Sequence, residues 1–377
     1  MTVRDVFFVG NSTDALGGVT SWTHQLARLL TDRGHRVHVV GVTSTGSGAA
    51  DLPYPTTTLT RTQPPRPLPG GLRAKADPVL RWRRRARREL MRRQARQLTA
   101  LFRAARPGGV VVVTQVWAME WLALADTAGL TVLGMSHESY DTCRGSSRFA
   151  RVQRLYRDVD RMLVLTREDA DSWIRQGMQH TGFLPNPVPF LPAVGGERRE
   201  KAVVALGRLS DEKGVDMLLE CWAQLAPRHP DWVLRVYGSG EDEGLLRAQC
   251  TALGLDGSVQ WCGSTDDVEG ALRGGSVFVQ SSRGEGFPLA LMEAMAVGLP
   301  CCAFDCAPGV REIVRDGEDG LLAPPGHVGA LAGCLDRLLS DDGLRERMGE
   351  QARRNVRRFA PETVVDRWEE LFAFLER

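Results

Sequence analysis

The feature that most restricts the fold is an alternation of short, continuously apolar runs with amphipathic segments along nearly the whole chain. Val6–Val9, Val37–Val42, Val110–Val113, Thr131–Met135 and Met162–Leu165 read as strands, and so do Ala202–Leu206, Trp232–Tyr237, Val259–Cys262, Val277–Ser281 and Cys301–Phe304. Between them Val19–Arg33 reads as a helix with Trp22, Leu26, Leu29 and Leu30 inward, stopped by Gly34. Val215–Leu225, Pro288–Val297 and Pro361–Leu375 are further helices, the last with proline in its first turn. Thr166 caps another, whose first turn carries Glu168 and Asp169. Strands apolar on both faces, alternating with helices, predict parallel sheets covered on both sides.

The alternation breaks once. FLPNPVPFLPAVGGERR, residues 183–199, holds four prolines and two glycines without periodicity, which marks an interdomain linker. The expected organisation is a first domain over residues 1–185, a linker over 186–200 and a second domain over 201–360, with a C-terminal helix, 361–377, packing back on the first. A length of 377 residues is comfortable for two domains. The expected fold class is α/β: two doubly wound domains facing across a cleft, with ligands at the carboxyl ends of the strands.

The overall composition excludes several classes. A net charge of +2 gives no global field for nucleic acid. The opening MTVRDVFFVGN has no signal-peptide pattern, and no run approaches the ~18 apolar residues of a membrane span, so a cytoplasmic protein is expected. The eight cysteines are spaced for neither a zinc site nor a disulfide framework, which suggests buried thiols in a reducing compartment. Of the 48 basic residues only Lys75, Lys201 and Lys213 are lysine.

Chemistry concentrates in RGEGFPLALMEAMAVGLP, which starts at Arg283. The seven-residue gap between Glu285 and Glu293 says little by itself, since about one such pair is expected by chance in a chain this long. The surroundings say more. Pro288 suits the first position of a helix, and from Phe287 to Val297 every residue except Glu293 is apolar, small or proline. A helix apolar all round is buried, and a lone carboxylate on it costs several kcal/mol unless something hydrogen-bonds to it. A ribose diol offers two donors, while an arginine would make a structural ion pair instead. The helix N-terminus, with free N–H groups and a positive dipole end, suits a diphosphate.

The segment from Gly284 to Glu293 resembles the Glu–seven–Glu motif of family 4 retaining glycosyltransferases, a large family of GT-B fold. Gly207-Arg208-Leu209-Ser210-Asp211-Glu212-Lys213-Gly214 is similar to that family's signature loop after the first strand of its C-terminal domain. Gly298-Leu299-Pro300, Gly309 with Glu312-Ile313-Val314, and Asp316–Leu322 continue the pattern in order. Gly17-Gly18-Val19 resembles its glycine loop, and Leu184-Pro185-Asn186-Pro187-Val188 its linker. The resemblance is tight in the C-terminal half and looser before it.

What the resemblance implies is a transfer of a hexose-type sugar from a nucleoside diphosphate donor, UDP being the commonest, to a hydroxyl acceptor. Arg208 and Lys213 would stabilise the leaving diphosphate, Glu285 would reach the sugar's hydroxyls and Glu293 the ribose. Backbone N–H groups of Gly286, Phe287, Leu289 and Ala290 would face the sugar and diphosphate; Pro288 has none to offer. Gly17 and Gly18 would approach the donor closely, and His137, just past a strand end, would lie near the anomeric centre. Gly238, Gly240, Trp261 and Cys262 are candidates for the walls around the base. Acceptor-side candidates are Asn11, Asp14 and Arg144. No metal or other cofactor is expected, Asp169-Ala170-Asp171 being a helix first turn rather than a metal motif.

Arg81–Arg106 holds eleven arginines against the single acid Glu89. Leu90, Leu98, Leu101 and Phe102, with Trp82 upstream, could supply an apolar stripe. Such a helix suits an anionic membrane surface or a polyanionic acceptor, or is simply a solvated face. No aromatic reading platform accompanies the charge, so nucleic acid is not expected. A membrane contact would place the chain at the inner face of the membrane, next to a lipid-linked, phosphate-containing or cell-envelope acceptor. Competing readings are a nucleotide-sugar epimerase of the same fold and a non-catalytic nucleotide-sugar or polyanion binder. A pyridoxal phosphorylase is disfavoured by the scarcity of lysine. A nicotinamide oxidoreductase is disfavoured by Gly10-Asn11-Ser12-Thr13-Asp14, which lacks a glycine fingerprint after the first strand.

Overall fold

The computed structural model describes residues 2–15, 17–46, 51–60, 77–192 and 200–376. Residues 193–199 of the expected linker and Lys75 lie outside them. The chain divides into two compact units, each built on one parallel sheet.

The first unit comprises Met1–His137, Cys143–Leu184 and Val365–Arg377. Its strands are β1 (Asp5–Ser12), β2 (Arg36–Thr43), β3 (Thr56–Thr58), β4 (Val110–Val113), β5 (Thr131–Met135), β6 (Arg161–Val164) and β7 (Thr181–Phe183). Their order is β3-β2-β1-β4-β5-β6-β7, so the chain reverses direction across the sheet beside β1. The apolar runs are buried because helices cover both faces: Val110–Val113 is wholly buried, and Trp22, Leu26 and Leu30 of the Gly18–Asp32 helix pack inward. Trp22 meets Phe8 edge-on at 6.2 Å and tilts against Trp368 at 6.2 Å. Arg33 pairs with Asp366 and Glu369, which fastens the C-terminal helix beside the first one.

The second unit comprises Glu138–Thr142 and Pro185–Val364. Its strands are β8 (Ala202–Leu206), β9 (Val233–Tyr237), β10 (Val259–Gly263), β11 (Val277–Gln280), β12 (Cys301–Phe304) and β13 (Gly320–Ala323), in the order β10-β9-β8-β11-β12-β13. Consecutive strands run outward from β8 to one side and from β11 to the other. The switch point of this doubly wound sheet is therefore the crevice beyond the carboxyl ends of β8 and β11.

Three boundaries differ from the sequence expectation. The proline-rich stretch is no bare tether: Asn186 and Val188 are buried, and the Val188 N–H donates to the Phe359 carbonyl at 2.8 Å. The C-terminal helix, Pro361–Leu375, joins the first unit only from Val365 onward. Glu138–Thr142 groups with the second unit.

The arginine-rich stretch is one helix, Pro78–Arg103, capped by Asp77, whose side chain accepts from the Val79 and Leu80 N–H groups. Its buried stripe is Met91, Gln94, Ala95, Leu98 and Phe102, which contains Leu98 and Phe102 of the expected stripe but neither Leu90 nor Trp82. Leu90 sits one residue off that line and is 40% exposed; Trp82 is 69% exposed. Among the described residues no helix is long and apolar enough to cross a membrane.

Candidate active site

A recess opens at the switch point of the second sheet, lined among others by Gly207, Arg208, Lys213, Ser282, Glu285 and Ala290. Two loops build it. Gly207–Gly214 leaves β8, makes a 3-10 turn over Asp211–Lys213 and enters the Val215–Leu225 helix through Gly214 in the left-handed region (φ 62). Ser281–Pro288 leaves β11 and enters the Leu289–Ala296 helix.

The loops are laced together. A Cβ on Gly214 would lie 2.1 Å from the Ser281 carbonyl oxygen, so only glycine permits this approach. Ser281 Oγ donates to the Lys213 carbonyl, and the Arg283 N–H donates to the Glu212 carbonyl at 2.8 Å. The Arg283 guanidinium grips both carboxylate oxygens of Asp216, at 2.8 and 2.6 Å. That pairing holds the Asp216 carboxyl below its ordinary range and raises the arginine.

This lacing brings Lys213 and Glu285, 72 residues apart, to 2.6 Å between Nζ and Oε1. Ser282 Oγ donates to the same oxygen at 2.7 Å. The Glu285 side chain is only 9% exposed. Arg208 reaches over the recess as a loosely held cation, its sole ion pair among the described residues being the 3.4 Å contact with Glu212. Beside it is the N-terminus of the Leu289–Ala296 helix, with no side-chain cap and no acid in its first turn, so no side chain of its own satisfies the first N–H groups. Pro288 occupies the cap rather than the first helical position.

Phe287 turns its ring into the core, edge-on to Phe359 at 5.3 Å. Gly286 is backed by Gly309, where a Cβ would lie 1.9 Å from the Gly286 carbonyl oxygen. Leu289 and Ala290 hold the first positions of the helix. Glu293, one turn on, is half-buried, and among the described residues no hydrogen bond or ion pair holds its carboxylate; the structural ion pair is not there. Burial pushes its pKa up to about 7.

The residues expected as base walls fall in two places. Gly238 (φ 140) and Gly240 pack against the neighbouring loop, where a Cβ on either would lie 1.8 Å from the Gly207 and 2.2 Å from the Leu209 carbonyl oxygen, respectively. Their work is to let two strand-end loops touch. Trp261 and Cys262 lie on edge strand β10, and neither lines the recess. The Trp261 ring is already covered by Arg247 at 5.1 Å, and Tyr237 lines the recess instead.

In the first unit the expected residues gather at the carboxyl edge of its sheet. Gly17 (φ 150) and Gly18 start the first helix, with open space where side chains would stand. His137 follows β5 and meets Trp22 edge-on at 4.6 Å. Its Nε2 is shut from solvent without a partner, and burial lowers its pKa to about 4, so the ring is neutral at physiological pH. Asn11, next to last in β1, donates its backbone N–H to Gln115 Oε1 and has its side-chain oxygen buried and unpartnered.

Asp14 is engaged by its own loops. It accepts from Ser12, Ser44, Thr45 and Gly46, and although desolvation opposes them, these bonds hold its carboxyl far below the usual range. It clasps two loops. Arg144 is exposed at the end of the short Tyr140–Arg144 helix. Thr166 caps the Arg167–Arg175 helix and Asp169 folds back on it, so this acid pair opens a helix as expected. Among the described residues no three His, Cys, Asp or Glu side chains are grouped to hold a metal ion. Sequence reading missed Ser282 and Arg283 as site builders. Arg283 finds Glu212 and, 67 positions upstream, Asp216, while Ser282 bonds Glu285 three residues on in its own loop, and a serine at that spacing is too common to signal a role.

Fold and site together define an α/β protein of two Rossmann-like domains, with a recess at the switch point of the second sheet. Residues 16–189 match the model described as Glycosyltransferase Family 4, and residues 191–355 that described as Glycosyl transferases group 1. An uncharacterized glycosyltransferase of Haemophilus influenzae is 31% identical over 66% of this chain and 72% of its own length. The chain belongs to this family of GT-B glycosyltransferases.

An exopolysaccharide phosphotransferase of Streptomyces coelicolor is 37% identical over 58% of this chain, which spans 24% of that protein. Other curated relatives, such as an amylovoran biosynthesis glycosyltransferase of Erwinia amylovora at 28% identity over 46% of this chain, are matched over about half their length or less. Among solved structures, TarM of Staphylococcus aureus, crystallised with UDP, superposes with a TM-score of 0.81 at 13% identity, over 98% of this chain and all of its own. HepE of Anabaena, with UDP and glucose, reaches 0.77 at 18% identity, over 98% of this chain and 99% of its own. At such identities the likeness concerns the fold.

Proposed function

We propose that the chain transfers a hexose-type sugar from a UDP-sugar to a hydroxyl of a cell-envelope glycan or its lipid-linked precursor, with retention at the anomeric carbon. The observation that carries this reading is the Lys213–Glu285 couple set against an uncapped helix N-terminus. Uridine is favoured because the structural neighbours named above were crystallised with UDP. The acceptor class follows the names of relatives that act on lipopolysaccharide core and poly(glycerol-phosphate).

On this reading the diphosphate meets Arg208, Lys213 and the helix N–H groups, and draws Lys213 away from Glu285. The freed carboxylate then accepts from the sugar's hydroxyls. The bond from the anomeric carbon to the diphosphate oxygen breaks, and the acceptor oxygen bonds that carbon from the same face. The acceptor's proton passes to the departing phosphate oxygen, so neither a carboxylate nucleophile nor a metal is called for. The neutral ring of His137 would lie toward the sugar. The exposed arginines of the Pro78–Arg103 helix would hold the chain at the anionic inner face of a membrane, beside such an acceptor.

The test is NMR of UDP-glucose and related donors with the purified chain, with and without a polyol or glycan acceptor, and with EDTA. An axial donor is expected to give an axial product only when acceptor is present, and EDTA is expected to have no effect. Sugar inversion without acceptor would establish an epimerase, and binding without turnover a non-catalytic binder. Loss of activity in EDTA would overturn the metal-free mechanism.

Glu293 supplies a pH test. Its pKa near 7 in the empty site means that much of it is protonated at neutral pH. A ribose diol donates to the ionised form, so UDP binding is expected to tighten several-fold from about pH 5.5 to 8, releasing a proton. Calorimetry in buffers of different ionisation enthalpy reads both, and Glu293→Gln should flatten the profile. The same group affects stability in the opposite sense. A carboxyl raised from 4.5 to about 7 on folding favours the folded state most below 4.5, and that contribution is lost as pH rises through 7.

A further inference from the structure

The Pro78–Arg103 helix carries two apolar stripes, and the sheet uses only one. At 3.6 residues per turn, Val79, Trp82, Ala86 and Leu90 fall within an arc of about 80°, and Trp82 lies diametrically opposite the buried Met91. Val79, Trp82 and Leu90 are 57%, 69% and 40% exposed, three of the seven large hydrophobic side chains that the described chain leaves in solvent. Arg81, Arg85, Arg88 and Arg92 are exposed along one border of this stripe and Arg83 along the other. Arg87 turns the other way, pairing with Glu120 at 2.9 Å. The helix is thus held to the unit by one side. The opposite side shows a Trp–Ala–Leu ridge with a row of guanidinium groups along one border and Arg83 on the other; the exposed Glu89 lies beside the ridge, and Arg93 is next on its line.

We propose that this outward face inserts into the headgroup region of an anionic bilayer, so that attachment is hydrophobic as well as electrostatic. This assignment rests on the membrane contact proposed above and names the residues that make it. Charge complementarity selects the occupant. A second copy of the chain would bring eleven arginines and one acid in residues 81–106 against the same set, and like charges repel. A polynucleotide or a soluble polyanion would satisfy the arginines but leave the ridge in water. A bilayer with acidic lipids takes both: the guanidinium groups reach phosphates while Trp82, a side chain suited to the membrane–water interface, and its apolar neighbours sink between them.

Partitioning of the full-length chain onto sucrose-loaded vesicles, by sedimentation at about physiological salt, tests this. One vesicle set is phosphatidylcholine alone and the other contains phosphatidylglycerol. The chain is expected to bind only the second. Trp82→Glu with Leu90→Glu should weaken binding at least about tenfold, and Arg85→Gln with Arg88→Gln and Arg92→Gln by a comparable factor. All these positions are exposed, so circular dichroism and the melting shift given by UDP should match the parent chain. If the arginine variant fails to bind while the Trp82/Leu90 variant binds as the parent does, insertion is overturned and attachment is electrostatic only. If the parent chain ignores both vesicle types, or an oligonucleotide displaces it from them at lower charge concentration than inorganic polyphosphate does, the membrane reading itself falls. The UDP shift is independent of that outcome.

Discussion

Glu285→Gln is expected to cut sugar transfer by a factor of about 10²–10³, the usual cost of one preorganised electrostatic group, while UDP binding changes only a few-fold. Glutamine keeps the shape and one acceptor for Ser282 but removes the charge that pairs with Lys213 at 2.6 Å. UDP has no sugar, so it does not call on this carboxylate. Lys213→Ala is expected to lose both, because the ammonium serves the diphosphate as well as Glu285. It also strands a carboxylate that is only 9% exposed, at a cost of about 1–3 kcal/mol in stability. The two changes touch one ion pair, so the double variant should cost much less than the sum of the singles. Steady-state release of UDP and calorimetry on UDP read these effects. Transfer by Glu285→Gln within tenfold of the parent would remove Glu285 from the chemistry.

The second large effect is structural. Gly238→Ala and Gly309→Ala are each expected to destabilise the second domain by about 2–4 kcal/mol and to abolish UDP binding. Alanine would place its Cβ 1.8 Å from the Gly207 oxygen in the first case and 1.9 Å from the Gly286 oxygen in the second, in both cases against backbone that has nowhere to retreat. Gly238 also has φ 140, which side-chain-bearing residues rarely adopt. Gly257→Ala, with open space around it, is the control and should be nearly silent. Denaturant melts followed by intrinsic fluorescence, with and without UDP, separate the cases. If either glycine tolerates alanine with UDP binding intact, the loops are not braced as described.

The long apolar runs were legible because a parallel strand buried on both faces has no polar side to disguise it. Val110–Val113 and Cys301–Phe304 match the observed strands residue for residue. β3, β7 and β13 escaped notice, being edge strands of three or four residues, too short to show a period of their own. In the site, Lys213 stood out through its rarity and Glu293 through its isolation. Arg283 did not, because its partner Asp216 is 67 positions away and only the fold brings them together. Asp14 shows what sequence cannot display: four hydrogen bonds from its own loops give this carboxylate a bracing task that no local pattern announces. The arginine-rich helix is amphipathic as its sequence predicts, but the expected stripe merged two: Leu98 and Phe102 face inward, while Leu90, one position and about 100° from the buried Met91, faces out with Trp82.

The closed Lys213–Glu285 pair has a consequence for traffic through the site. In the empty enzyme each charge already has a counter-ion, so a lone anion or a lone sugar must displace a partner and leave the other half stranded. Only a molecule bearing both an anionic diphosphate and a polyhydroxylated ring offers replacements for both at once. On the proposed reading the recess thus behaves as a two-key lock. Once the sugar departs, one key is gone, Lys213 and Glu285 are drawn together again, and the spent nucleotide is released by the reunion of the residues that admitted the donor.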